Sequence, residues 1–399
     1  VLLRLLVIAT LTCGCTAFDE SLLDPPDAGP GCELSRPPSR PDESTEGPDV
    51  EPRFYGIRDP RLNQSMDVWR TTGYDLDDLC SVPPEPDQDP PVECHAPSLS
   101  APLEQDGAGG VDNAIGHNVL PIILTVRDDF RDRASGGQTQ GLGAILLRVE
   151  QWNGRANDPR VHAVFMQSVF GSHERLMEPL GEIDVSDGML RIDGVAYQIP
   201  QWEGDDWFYA NSAGFLEGDI DRPRLIDDNA YIRDDTLVMR LPDRFPFYLG
   251  GDETGINVAL TDVEFTVRFT EDHTRIAEAI LAGRWSLLDI LDGVEVTGIC
   301  PDSDDYETFN RLLDLTADIR STPGTGGAGV TCDAISVGLA FDDGALANLA
   351  GIRPGFTLPD PCNAAMMDGG MGDGGSPDGG VDSSTSDGGV MDADAGAGG

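Results

Sequence analysis

The chain has 399 residues, room for two or three domains at roughly 150 residues each, with 26 basic and 71 acidic residues and a formal charge of −45. Every basic residue is Arg, and the lack of Lys excludes a Walker A phosphate loop, a Lys Schiff base and a pyridoxal-phosphate lysine. The charge argues against nucleic acid and favours cations or basic partners. Hydrophobic residues at 39%, with 48 Gly and 29 Pro, predict that part of the chain does not fold.

The first 14 residues carry one charge, Arg4, ahead of an apolar run from Leu5 to Leu11. The run is too short to span a bilayer, which needs about 20 apolar residues. A charged start, a short apolar core and small residues at a cut site read as a secretory signal. Leu11-Thr12-Cys13-Gly14-Cys15 resembles the lipobox of bacterial lipoproteins, with Thr12 where Leu is usual. The resemblance covers about 15 residues. It implies lipidation of Cys15, which follows the small Gly14; Cys13 is the runner-up and a plain secretory signal the alternative. It further implies a palmitate-bearing membrane anchor in the envelope of a Gram-negative-type bacterium. Thr16 is compatible with outer-membrane sorting.

Residues 15–52 read as a disordered Pro/Asp-rich tether, with extended stretches at 24–27 and 36–42. Residues 53–110 read as a loop-rich, Cys-containing head with little regular structure. From about 116 to 270 the period is two. Ile145, Leu147 and Val149 form one such run, and Val161, Ala163 and Phe165 another. Leu190 and Ile192 turn through Asp193-Gly194 into Val195 and Tyr197, a hairpin signal. Leu237, Met239 and Leu241 follow, then Val263, Phe265, Val267 and Phe269. One buried and one wet face is the antiparallel signature.

Helical spacing then takes over. Ile276, Ala277, Ile280 and Leu281 predict a helix ended by Gly283. Ser286 to Asp289 reads as a capping box, and Asp302 to Ile319 as a third helix with acids in its first turn. Ile335, Val337, Leu339 and Phe341 alternate again and are expected to rejoin the sheet. The expected fold is mainly β: an antiparallel β-sandwich over 111–362 with a small inserted α-helical segment at about 272–320. Residues 363–399, with Asp-Gly-Gly recurring, read as a disordered acidic tail.

Setting aside Cys13 and Cys15, six cysteines remain: Cys32, Cys80, Cys94, Cys300, Cys332 and Cys362. An even number in an exported chain reads as disulfides. The expected pairing is Cys80–Cys94 across a Pro-rich loop, Cys300–Cys332 bracing the third helix, and Cys32–Cys362 by elimination. Paired Cys-x-x-Cys or His spacings for zinc are lacking.

Ca²⁺ takes six to eight oxygens, often from carboxylates on tight loops. Glu104, Asp106, Asp112 and Asn113 surround a Gly-rich turn, and Asp75 and Asp77 offer more. A solvated turn is the plainer reading of either loop. Trp202, Asp205, Asp206, Trp207 and Tyr209, with Trp152 elsewhere, form the mixture that stacks on and hydrogen-bonds sugars; the alternative is that they fill the core. Ser336 in Ala-Ile-Ser-Val-Gly mimics a nucleophile elbow, but it lies in an alternating strand and no His follows His273. The expected function is a tethered module binding a glycan or protein ligand, with calcium. A structural lipoprotein is the second reading and a secreted hydrolase the third.

Overall fold

A computed structural model describes residues 33–42, 47–81, 91–102, 105–126, 129–177, 180–186, 188–242, 244–249, 256–295, 299–355 and 362. The signal, Cys13, Cys15, Cys32, Glu104 and the 363–399 tail lie outside these residues.

The alternating runs form strands, as expected, but they close on themselves. Eight strands make the ring: β1 (Arg53–Pro60), β2 (Ile145–Glu150), β3 (Asp158–Ser172), β8 (Ile226–Arg233), β9 (Thr236–Leu241), β11 (Ile256–Phe269), β12 (Arg275–Ser286) and β13 (Ala334–Leu346). Each pairs antiparallel with the next, and β13 returns to β1. The architecture is therefore a closed antiparallel barrel and not a plain sandwich. Alternation reports only that one face is buried; closure depends on which edges meet. Here β3 supplies it, its 15 residues pairing with β2, β8 and, beyond a register shift at Ser168/Phe170, with β7 (Trp207–Asn211).

Tyr55, Leu147, Phe165, Phe265, Leu281 and Phe341 point into the barrel and belong to one apolar core. Leu146, Val164 and Met166 point outward, yet are also buried. They are covered by β7 and by β14 (Asn348–Arg353), which pairs parallel with it. A separate three-stranded sheet holds β4 (Ile183–Ser186), β5 (Met189–Ile192) and β6 (Val195–Tyr197), turning at Asp193-Gly194 as its sequence predicts. The remaining strand, β10 (Phe245–Leu249), pairs with β11.

Several elements differ from expectation. The first predicted helix is strand β12. Its apolar face slips by one residue between Ile276 and Ala279, opposite a register shift in β11 at Arg268/Phe269. A bulge of this kind turns period two into a spacing that mimics a helix. Residues 53–60, within the segment expected to be a loop-rich head with little regular structure, are a barrel strand. The stretch after 114 is helical: a π-turn (Ile115–Val119), α1 (Leu120–Val126) and α2 (Phe130–Thr139). Helix α2 offered only Phe130 and Ala134 as a buried apolar pair, too little to declare it in sequence. Ser286 caps α3 (Leu287–Val294), accepting the Asp289 N–H as its capping pattern implies, and Ser303, which the sequence reading did not single out, caps α4 (Asp304–Thr316) by accepting the Tyr306 N–H.

The expected tether is partly ordered. The Tyr231 hydroxyl donates to the Pro38 carbonyl at 2.6 Å, and the Arg40 guanidinium lies 4.7 Å from the Tyr231 ring centre. Residues 33–42 thus strap across the barrel. Among the described residues the disulfides are Cys94–Cys332 and Cys300–Cys362, which overturns all three expected pairings. Cys80 is disulfide-bonded to a partner outside the described residues. Cys80–Cys94 and Cys300–Cys332 were expected from loop and helix spacing and Cys32–Cys362 by elimination, whereas the fold brings Cys94 to Cys332 across 238 residues.

Candidate functional site

Of the expected sites, the calcium-type loops come together best. Gly107 to Gly110 form a tight turn that packs on residues 70–79. A side chain at Gly110, whose φ is +73°, would meet the Leu79 carbonyl. This close approach carries Asp112 to the Asp75 loop. Asp112 Oδ2 accepts the Leu76 N–H at 2.6 Å, and Asp77 Oδ1 accepts the Leu79 N–H at 2.9 Å. One carboxylate oxygen from each of Asp75, Asp77 and Asp112 lies within 4.8 Å of the others.

Asp75 is the unusual member. Its side chain is 0% exposed, and neither oxygen makes a hydrogen bond of normal geometry. The nearest cation is Arg36 of the strap, Nε to Oδ2 at 3.9 Å, while Arg36 Nη2 pairs with Asp78. The strap is pinned here, since the Ser35 N–H donates to the Gly109 carbonyl and its carbonyl accepts the Asp75 N–H. Burial, then the Asp77 and Asp78 charges, pushes the Asp75 carboxyl up to about 7. Burial pushes Asp77 up to about 6 and holds Asp112 well above its ordinary value.

An adjacent cleft of about 250 Å³ is lined by Asp77, Glu93, His95, Asp106, Asp112 and Asp318. Beside it lies a buried ion pair that the sequence reading missed. Arg284 Nη1 donates to Glu93 Oε2 at 2.9 Å and to the Arg320 carbonyl at 2.8 Å, and Nη2 donates to the Leu76 carbonyl. A lone Arg between Leu281-Ala282-Gly283 and Trp285 was the available signal. Asp106 accepts from the Ser81 N–H beside the cleft. Asn113 is turned to structural work: its amide donates to Gln64 and the Thr72 carbonyl and accepts from the Gly338 N–H.

The aromatic cluster does not form a stacking platform. Trp152, Trp202 and Tyr209 are each at most 3% exposed. Trp202 packs on Phe208 and its Nε1 donates to the Thr139 carbonyl at 2.9 Å. Trp152 stacks on Phe269, Tyr209 on Phe170. Trp207 keeps some exposure, but Arg175 covers its ring at 5.0 Å. Asp205 is exposed, while buried Asp206 accepts the Gln201 and Trp202 N–H groups and so caps its own turn. His173 joins Asp205 and Asp206 in a second carboxylate–imidazole group, with Nδ1 3.1 Å from Asp206. Both oxygens of Asp206 are already engaged by backbone, which leaves that group a turn and not a socket. Ser336 is fully buried, donating to Asp318 and accepting the Ala114 N–H.

No known protein family, curated protein or solved structure matches the chain.

Proposed function

We propose that the chain is an exported envelope protein, lipid-tethered through Cys15 to a bacterial outer membrane, whose barrel is a recognition module. The observation that carries the export reading is the disulfide set, Cys94–Cys332, Cys300–Cys362 and the bonded Cys80. Such bonds persist in oxidising compartments. The lipobox-like Leu11-to-Cys15 segment adds the anchor, and three acyl chains exceed what stable anchoring needs. The strap supports the arrangement, because Ser35, Arg36 and Arg40 hold residues 33–42 to the barrel.

The ligand site of this reading is the acidic cleft around Asp77, Glu93, Asp106 and Asp112, in place of the Trp202–Tyr209 loop. Its ligand is a glycan or a protein segment. The burial of Trp152 and Trp202 favours a second reading, a structural lipoprotein with no small ligand.

Membrane fractionation tests the tether. Cys15→Ala should move the protein from the membrane to the soluble fraction. A Cys15→Ala protein that still sediments and still carries lipid would place the anchor at Cys13 or remove the lipobox reading. A glycan array with and without chelator then separates the two ligand readings.

A further inference from the structure

We propose that Asp75, Asp77 and Asp112 hold one divalent cation, calcium by the hardness and spacing of their oxygens. This inference narrows the calcium expectation to three residues brought together by the fold, and it stands whether or not Cys15 is lipidated.

The first observation is the convergence of three carboxylates from two loops, with oxygens inside 4.8 Å. Oxygens held 2.3–2.6 Å from one Ca²⁺ lie within such a span of one another. Acidic clusters alone are common on a chain of this charge. The second observation separates this one from them: the Asp75 side chain is fully buried and neither oxygen makes a hydrogen bond of normal geometry, its polar neighbours besides Arg36 being the Asp78 backbone and the Asp77 carboxyl. A buried carboxylate without well-placed donors is costly, and proteins retain one when an ion or proton completes it.

The countercharge at hand is small. Arg36 approaches only to 3.9 Å and is committed to Asp78, and Arg284 is committed to Glu93. The local backbone serves the same end. The Leu76 and Leu79 N–H groups each hold one oxygen of Asp112 and Asp77, fixing the carboxylates and leaving their second oxygens for a ligand. Asp77 and Asp112 also line the cleft, which gives an ion a path in and room for water ligands. The donors are all oxygens, and Ca²⁺ tolerates irregular oxygen sets better than Mg²⁺, which demands near-octahedral geometry. Because Ser35 and Arg36 touch this loop, an ion here also locks the strap to the barrel.

The test is calorimetric titration of CaCl₂ and MgCl₂ into the chelator-stripped full chain at about pH 8, above the value of about 7 to which Asp75 is raised. We expect one Ca²⁺ per chain with a dissociation constant on the order of 10⁻⁴–10⁻³ M, weaker Mg²⁺ binding, and a higher melting temperature in calcium. Asp75→Asn should weaken Ca²⁺ binding at least about tenfold while melting no lower than the parent in chelator, because it removes a charge that is unsatisfied without the ion. Asp112→Asn, which keeps an acceptor for the Leu76 N–H, should weaken binding similarly. Three results would each overturn the proposal: no saturable Ca²⁺ binding by the parent; binding of many ions unchanged in both variants; or an Asp75→Asn protein that melts lower in chelator, the mark of a protonated structural carboxyl.

Discussion

Asp75 separates two kinds of buried carboxyl, one that a proton satisfies and one that a cation satisfies. Its folded value near 7 stands above the ordinary 3.8, so the folded state holds the proton more tightly than the unfolded chain. The stability this contributes is fully present below pH 3.8 and is lost as pH rises through about 7. Asp77, raised to about 6, acts in the same direction. In chelator, melting temperature should therefore fall across that window, and Asp75→Asn should flatten the fall. Calcium should restore stability at the alkaline end. A melting temperature that rises steadily from about pH 5 to 8 in chelator would contradict this assignment. Arg284 shows the opposite case, a buried charge fully engaged. Arg284→Met should cost about 3–5 kcal/mol in urea unfolding because it strands the buried Glu93 carboxylate, and Glu93→Gln should cost less, because Arg284 keeps Asp262 at 3.3 Å, with the double variant recovering part of the larger loss. A loss no larger than that of an exposed pair would show that the site is wet.

At this scale the sequence disclosed residue types but not their surroundings. The Asp loops were legible because carboxylates flank a Gly-rich turn. That Asp75 meets Asp112 was not, since their approach depends on Gly110 fitting against Leu79. The Trp202–Tyr209 cluster had the composition of a sugar site, and the same residues serve equally to cover a barrel wall. Only burial distinguishes the two uses. Trp202→Ala should accordingly cost about 3–5 kcal/mol of stability, as a large core truncation does.

At the scale of elements, the alternating runs in β2, β3, β9, β11 and β13 were legible, although β3 and β11 also carry register shifts. Strand β12 carried a one-residue phase change and imitated a helix. The Ser286 cap behaved better, because it acts on its own next turn and needs no distant partner. Where β13 crosses the 72–73 segment the backbones nearly touch, and a Cβ at Gly338 would run into the Thr72 carbonyl. Gly338→Ala should cost about 1–3 kcal/mol. It should also loosen Asn113, whose side chain bridges Gly338 and Thr72. Unchanged urea stability would mean that the two segments part readily.

For the whole molecule, closure and cross-links define the architecture, and both are long-range. Cys94–Cys332 spans 238 residues of sequence and Cys300–Cys362 spans 62. In the chain-entropy description, losing the longer link should cost about 1 kcal/mol more than losing the shorter. Thermal unfolding of Cys94→Ser against Cys362→Ser measures the difference, and the reverse order would show that native-state packing outweighs loop entropy. Spacing in sequence could not supply these pairings, because the fold brings segment 91–95 to 330–332 through backbone hydrogen bonds from His95 to Val330 and from Cys332 to His95. The same convergence frames the cleft beside the carboxylates.

The most direct test of the cation site is a crystal structure grown in calcium, with an anomalous difference map. The expected result is a closed eight-stranded barrel with one peak bounded by Asp75, Asp77 and Asp112, and the 33–42 strap ordered against it. A map with no peak there, and an Asp75 carboxyl hydrogen-bonded directly to Asp77, would contradict it.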